Sequence, residues 1–271
     1  MIQTYLNYTG RIALIATAVE CRGEWDEIYR RLRDKKSPSP EEAERLLATI
    51  QCKVTTVLDP DYPAVLRERC PKPPFVLFYY GDIKLARDSN QILTVVGARV
   101  CTDYAYQKTK YLVREIADRG YIVATGLARG IDTAAAEVTS EMPKKTIGVL
   151  GCGIERMYPL ENEALRDRIA YNGLLLSEYP GDVEPMAKHF PVRNRILAAL
   201  GRGTFVGEAH SHSGTLITIA YAMSMNRDVA ALPFRCDEEE IVNNQMIKTG
   251  AALIESPEDL ELFLNTAAIV S

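Results

Sequence analysis

Beyond residue 90 the chain alternates short apolar runs with amphipathic stretches. The apolar runs lie at 92–96, 121–124, 145–150, 174–177, 204–206, 228–232 and 251–254. They show little polar alternation, as expected of strands buried on both faces of a parallel sheet. Between them, helical periodicity covers 104–118, 132–139, 161–171, 193–200, 215–225 and 243–249, and a last helix runs over 257–264 from a Ser256 cap. Repeated strand–helix units predict an α/β fold: a Rossmann-like, doubly wound, mostly parallel sheet with helices on both faces. In such sheets ligands sit outside the carboxyl ends of the strands.

The first fifty residues carry a different pattern. An apolar segment at 12–19 is followed by Trp25, Ile28, Tyr29 and Leu32 at helical spacing. Lys35-Lys36-Ser37-Pro38 breaks the pattern. Ser39 then reads as an N-cap, with Pro40 in the first turn and Glu42 closing a capping box. Ala43, Leu46, Leu47 and Ile50 form that helix's apolar side. The expected organisation is a small helical module over 1–53 and an extended α/β domain over 54–271. Packing and an interaction surface are equally plausible roles for the module. Asp59-Pro60-Asp61-Tyr62-Pro63 is a turn-rich link, because proline fixes its own φ and extends its predecessor. A strand at 75–80 follows, ended by Gly81-Asp82.

Composition narrows the chemistry. The 271 residues are 47% hydrophobic with a net charge of −4, so any polyanion must be held by a few focused cations. The six cysteines are scattered without a CxxC pair. The start shows no basic segment ahead of an apolar core, and no apolar run approaches the ~20 residues of a membrane span. Reduced thiols and a cytoplasmic location are therefore expected. His189, His210 and His212 are the three histidines, and no cysteine or carboxylate cluster completes a metal set around them. No metal, cofactor or catalytic residue is expected.

The predicted strand ends share a character. Gly97-Ala98-Arg99, Thr125-Gly126-Leu127-Ala128-Arg129-Gly130, Gly151-Cys152-Gly153, Glu178-Tyr179-Pro180-Gly181 and Gly207-Glu208-Ala209 follow successive strands. Next to them, Lys188-His189-Phe190-Pro191-Val192-Arg193-Asn194-Arg195 gathers cations, a ring and an amide. Ser213-Gly214-Thr215 opens an apolar helix whose first N–H groups face anions. Arg99, Arg129, Lys188, Arg193 and Arg195 thus converge on one predicted edge, which suits a phosphate-rich ligand such as a single-stranded nucleic acid. From the residues alone the blander alternatives also stand. Phe190 is equally a core ring, and Arg193 and Arg195, two apart on a helix, do not share a face. One of them is expected to pair with an acid, Glu178 or Glu208. Arg129 and Asp132 are equally read as holding the glycine loop in shape.

These motifs resemble the DprA/Smf family of DNA-processing proteins. The resemblance rests on Val96-Gly97-Ala98-Arg99, on 125–132, on Ile147-Gly148-Val149-Leu150-Gly151-Cys152-Gly153-Ile154 with Tyr158-Pro159, and on 175–180. Further on it rests on Phe190-Pro191-Val192-Arg193-Asn194-Arg195 and Ser213-Gly214-Thr215-Leu216-Ile217-Thr218. It covers about 55–264, all in family order. It implies a cytoplasmic, homodimeric, non-catalytic protein that binds single-stranded DNA during natural transformation and recombination, protects it and loads the RecA recombinase. The implied DNA-binding residues are Gly97, Arg99, Gly126, Arg129, Lys188, Phe190, Arg193, Asn194, Arg195, Ser213, Gly214 and Thr215. Dimerisation is expected through the C-terminal part of the Rossmann-like domain, around 221–225 and 243–253, with Met223, Met225 and Met246. Some members carry a sterile-alpha-motif-like domain at the N-terminus, and 1–53 is expected to be a reduced version. Ala98 stands in place of the usual Ser, and Leu160 where some members carry a basic residue. Leu232-Pro233-Phe234 and Val242-Asn243-Asn244 also depart from the pattern. The acidic run Asp237-Glu238-Glu239-Glu240 is expected to face away from DNA. Four phosphate-contacting cations would give a log–log salt slope of roughly −3.

A second class is a nucleotide phosphoribohydrolase-like enzyme, which uses a similar glycine turn with a glutamate in the following helix. Here Glu208 is the nearby carboxylate and the helix start has none. A partner-binding adaptor would leave the basic edge unused. A dehydrogenase is disfavoured because no Gly-x-Gly-x-x-Gly follows the first strand of the alternation.

Overall fold

The computed structural model describes residues 2–238 and 240–267. Three helices come first: α1 Ile2–Glu20, α2 Trp25–Arg33 and α3 Pro40–Leu47. Then follow β1 Lys53–Thr56, α4 Ala64–Arg69, β2 Val76–Gly81, β3 Ile92–Val96, α5 Asp103–Asp118, β4 Ile122–Thr125 and α6 Ile131–Thr139. The chain continues with β5 Thr146–Gly153, α7 Glu163–Asn172, β6 Leu174–Tyr179, α8 His189–Leu200, β7 Gly203–Val206 and α9 Thr215–Ser224. It closes with β8 Asp228–Ala231, α10 Asn243–Lys248, β9 Ala252–Leu253 and α11 Pro257–Thr266. Both predicted serine caps form: Ser39 and Ser256 each close a capping box, with Glu42 and Asp259.

The strands make one sheet in the order β1-β2-β6-β5-β4-β3-β7-β8-β9. From β6 through β9 every pairing is parallel, and only β1 and β2 add antiparallel strands at one edge. One face carries α8, α9 and α4 over Ile92, Ala124, Ile147 and Leu174. The other carries α5, α6 and α11 over Leu93, Val95, Val123 and Phe205. Toward the β1–β2 edge, Leu14, Ile15, Ala18 and Ile28 of α1 and α2 share a third buried cluster with Phe78, Leu127, Leu150 and Leu175. The N-terminal helices thus pack into the sheet's own core.

Two local expectations are corrected. Helical periodicity predicts α8 from Arg193, yet the helix begins at His189. Pro191 does not stop it, because a first-turn proline lacks only an N–H that would have no helical partner. Gly151-Cys152-Gly153, expected to follow the strand at 145–150, instead forms the end of β5, which continues through a register irregularity between Leu150 and Gly153.

The strand order places a topological switch at β3. The chain winds from β3 through β4, β5 and β6 in one direction, then crosses back to β7 on the other side of β3. A crevice therefore opens between the carboxyl ends of β3 and β7.

Candidate nucleic-acid interface

The crevice is built from the turns after β3 and β7. Gly97 lies so close to the start of α6 that a Cβ there would sit 2.5 Å from Ile131 Cγ1, so only glycine permits the approach. Ala98 N–H donates to the Glu208 backbone carbonyl at 2.7 Å, tying the two turns together. The result is a cavity of about 740 Å³ lined by Gly97, Arg99, Asp132, Tyr158, Phe190, Arg193, Asn194, His210, Ser213, Gly214 and Thr215, among others. A second cavity, about 280 Å³, adjoins it and is lined by Gly126, Arg129, Gly151 and Cys152. Arg99, Tyr158, Phe190 and Arg193 border both.

Those shared residues form a ridge between the cavities. The exposed Arg99 guanidinium lies over the Phe190 ring at 5.3 Å from its centroid. Tyr158 packs on the same ring at 5.5 Å. Phe190 is half-buried against the Gly151 backbone, where a Cβ would meet its Cδ1 at 2.8 Å. The ridge thus offers ring faces with a cation above them, the combination that holds unpaired bases.

Arg193 serves the cavity from below. It is 4% exposed, and its Nη1 donates to the carbonyls of Gly126, at 2.7 Å, and of Val149. Its Nε donates to Asn194 Oδ1 at 3.1 Å, and Asn194 Nδ2 donates in turn to the Gly214 carbonyl at 3.3 Å. Gly126 is required for this, because a Cβ there would lie 2.3 Å from Nη1. Asp132 is also on the floor and accepts from Gly126 N–H at 3.0 Å and Ala128 N–H at 3.4 Å. Burial pushes its carboxyl up to about 6, against the pull of Arg193 and the two amides. Asn162 Nδ2 donates to the Leu127 and Ala128 carbonyls at 3.0 and 3.3 Å, holding the loop in which Leu127 adopts a φ of 53°. Ser213 Oγ is buried without a partner at the mouth of α9. Cys152 is buried, which pushes its thiol up to about 11 and keeps it protonated at neutral pH.

The sequence-derived candidates thus divide. Gly97, Arg99, Phe190, Arg193, Asn194, Ser213, Gly214 and Thr215 come together around the larger cavity, and Gly126 and Arg129 border the smaller. Arg129 is exposed and paired with Glu161. Lys188 and Arg195 line neither cavity. Lys188 Nζ lies 2.5 Å from Glu24 Oε1. Arg195 is on another face of α8, 2% exposed, where it donates to Glu178 Oε1 at 2.6 Å and to the carbonyl of Lys72 at 2.9 Å. One arginine of the pair was expected to meet Glu178 or Glu208, and two residues' separation on a helix turns Arg195 away from Arg193. Glu208 lines neither cavity: Thr102 donates to its Oε2 through N–H and hydroxyl at 2.9 and 2.7 Å, and His210 Nε2 lies 2.9 Å from its Oε1. Both oxygens are thus engaged, and the carboxylate lies outside the cavity where a phosphoribohydrolase reading would place it. Of the acidic run, Glu239 lies outside the described residues, and Asp237, Glu238 and Glu240 line neither cavity.

Sequence reasoning missed Tyr158 and His210 as wall residues and Glu24 as the partner of Lys188. Tyr158 was marked by its Tyr-Pro motif. Glu24 carries no local signal, being far from Lys188 along the chain.

The chain matches the family model of DNA recombination-mediator protein A over residues 53–265. It is 40% identical over 205 residues to Protein Smf of Synechocystis sp., covering 74% of this chain and 51% of that protein. It is 37% identical over 206 residues to DNA processing protein DprA of Streptococcus pneumoniae, covering 76% of this chain and 72% of that one. The chain therefore spans about half the length of the first relative and nearly three quarters of the second. The X-ray structure of the Streptococcus pneumoniae protein superposes with a TM-score of 0.76 at 33% identity, over 84% of this chain and 81% of that one. DNA processing protein A of Helicobacter pylori, solved for its single-stranded DNA binding mode, superposes with a TM-score of 0.70 at 31% identity, over 80% and 96%.

Proposed function

The chain belongs to the DNA recombination-mediator protein A family, and we propose that it binds single-stranded DNA in the crevice between β3 and β7. The observation that carries this is the ridge: an exposed Arg99 over the half-buried Phe190 ring, at a topological switch point. Bases stack on Phe190 and Tyr158 without sequence preference, and Arg99 holds the adjoining phosphate. Ser213, Gly214 and Thr215 offer neutral donors at the mouth of α9. Arg193, Asn194 and Gly126 support this surface from beneath. The wider role is to protect DNA taken up in natural transformation or recombination and to deliver it to the RecA recombinase, as a cytoplasmic homodimer.

The dimer surface is reduced from what the methionines promised. Met223 is 66% and Leu253 44% exposed, but Met225 is buried and Met246 packs against the core. Light scattering behind gel filtration at micromolar protein tests it, and a monomer alone rejects it. No helix among the described residues is long and apolar enough to cross a membrane.

A fluorescence-anisotropy titration with labelled oligo-dT tests the central proposal. Wild type binds at low salt, and Arg99→Ala weakens binding with the fold intact by circular dichroism. No binding by wild type at low salt overturns it.

A further inference from the structure

Helix α2 carries an aromatic stack that the crevice does not use. Trp25 and Tyr29, four apart on one helical face, stack at 5.3 Å between centroids with 11° between planes. Phe75 stacks with Trp25 at 4.9 Å and 23°. Trp25 Nε1 donates to the Pro73 carbonyl at 2.8 Å, fixing the middle ring. Lys72 Nζ lies 5.0 Å from the Trp25 centroid. Tyr29 is 50% exposed. A series of near-parallel rings therefore ends in an accessible one.

The stack is tied to the crevice. Glu24, immediately before Trp25, engages Lys188 at 2.5 Å and His189 Nε2 at 3.0 Å. His189 is the first residue of α8, and the next residue is Phe190 of the ridge. Lys188 and His189 thus join the ridge to the residue that precedes α2.

We propose that Tyr29, backed by Trp25 and Phe75, is an accessory stacking site for an unpaired base of the same DNA strand. This rests on the crevice being the primary strand-binding site. Trp25 and Tyr29 lie outside the stretch 53–265 that the family model covers, and Phe75 lies within it. The acids beside the stack are already engaged, Glu24 by Lys188 and Asp26 by Lys72 at 2.6 Å. The patch is thus close to neutral, and recognition there rests on ring stacking rather than on phosphate charge.

The test compares two labelled oligo-dT probes, one of about 6 nucleotides that fills the crevice and one of about 20 that reaches α2. Tyr29→Ala should weaken the long probe about fivefold or more, the low end of one base–ring stack, and leave the short probe unchanged. Tyr29→Phe keeps the ring and should restore wild-type affinity for the long probe. Trp25 is the protein's only tryptophan, so its emission reports on this stack directly. It should respond to the long probe and not to the short one. The accessory site is overturned if Tyr29→Ala binds the long probe as wild type does, if both probes weaken equally, or if Trp25 emission ignores a saturating long probe. Failure of wild type to bind even the short probe would instead reject the crevice, and the accessory site with it.

Discussion

Replacing Arg193 by methionine separates a structural cation from a ligand-binding one. The guanidinium is 4% exposed and donates to the Gly126 and Val149 carbonyls and to Asn194 Oδ1. Methionine matches the stem but leaves both carbonyls without these donors and Asp132 without its buried counter-charge. A hydrogen bond from a charged group contributes about 1.5–3 kcal/mol, so losing the two carbonyl bonds costs about 3–6 kcal/mol. At about 2–4 °C per kcal/mol for a chain of this size, the melting temperature should fall by roughly 6–24 °C. Arg99 differs: it is exposed and touches only the face of Phe190 among its described contacts. Its loss costs about 0.5–1 kcal/mol, or about 1–4 °C.

Binding should not follow stability. Arg99→Ala should bind oligo-dT weakly while melting close to wild type. Arg193→Met should melt early, and adding Asp132→Asn should recover part of the loss by removing the carboxylate that lost its counter-charge. Thermal melts by circular dichroism, paired with anisotropy titrations well below each midpoint, read both properties. If Arg193→Met melts within about 4 °C of wild type, Arg193 is not part of the framework, and the role of Gly126 as its seat is wrong. If Arg99→Ala melts as early as Arg193→Met, the ridge is a structural element rather than a binding surface.

Three further outcomes are expected. With Arg193 bonded to carbonyls, Arg195 to Glu178 and Lys188 to Glu24, only one or two cations remain for phosphates, so the log–log salt slope should be about −0.7 to −1.4 rather than −3; a slope near −3 would show that those pairs open on binding. Gly151→Ala places a methyl 2.8 Å from Phe190 Cδ1 and should displace the ring, weakening oligo-dT binding about fivefold or more while the circular dichroism spectrum is unchanged; unaltered affinity would remove Phe190 from the site. Asp132 is raised from 3.8 to about 6 by burial, so the native chain holds its proton more tightly than the unfolded chain does. Its contribution to stability should therefore fall, by up to about 3 kcal/mol, as pH rises from about 4 to 6, a decline that denaturant titrations should find missing in Asp132→Asn.

What was legible in the sequence follows from how local each cause is. β3 was read at its observed limits, because five buried apolar residues closed by Gly97 need no distant information. The serine caps of α3 and α11 formed as expected, since each acts within four residues. The glycine turns marked the sheet edge at which the cavities lie, but not what the glycines admit: Gly126 makes room for a guanidinium sixty-seven residues away, and Gly151 for the Phe190 ring. The five cations on that edge looked equivalent because each was a basic residue near a strand end. Their partners then sorted them. Arg99 faces the cavities, Arg129 is exposed and paired with Glu161, Arg193 is built into the floor, Arg195 turns to a buried glutamate and Lys188 is taken by Glu24, just before α2. None of those partners is within reach of a local pattern. Charge at a sheet edge therefore points to where a phosphate-rich ligand would sit, while burial decides which cations remain free to meet it. The same reasoning extends to the N-terminal helices, whose spacing gave the helices but not their place in the sheet's core or beside α8. Their contact with Lys188 and His189 makes the module part of the crevice's surroundings, so its deletion would alter the crevice as well as remove the stack.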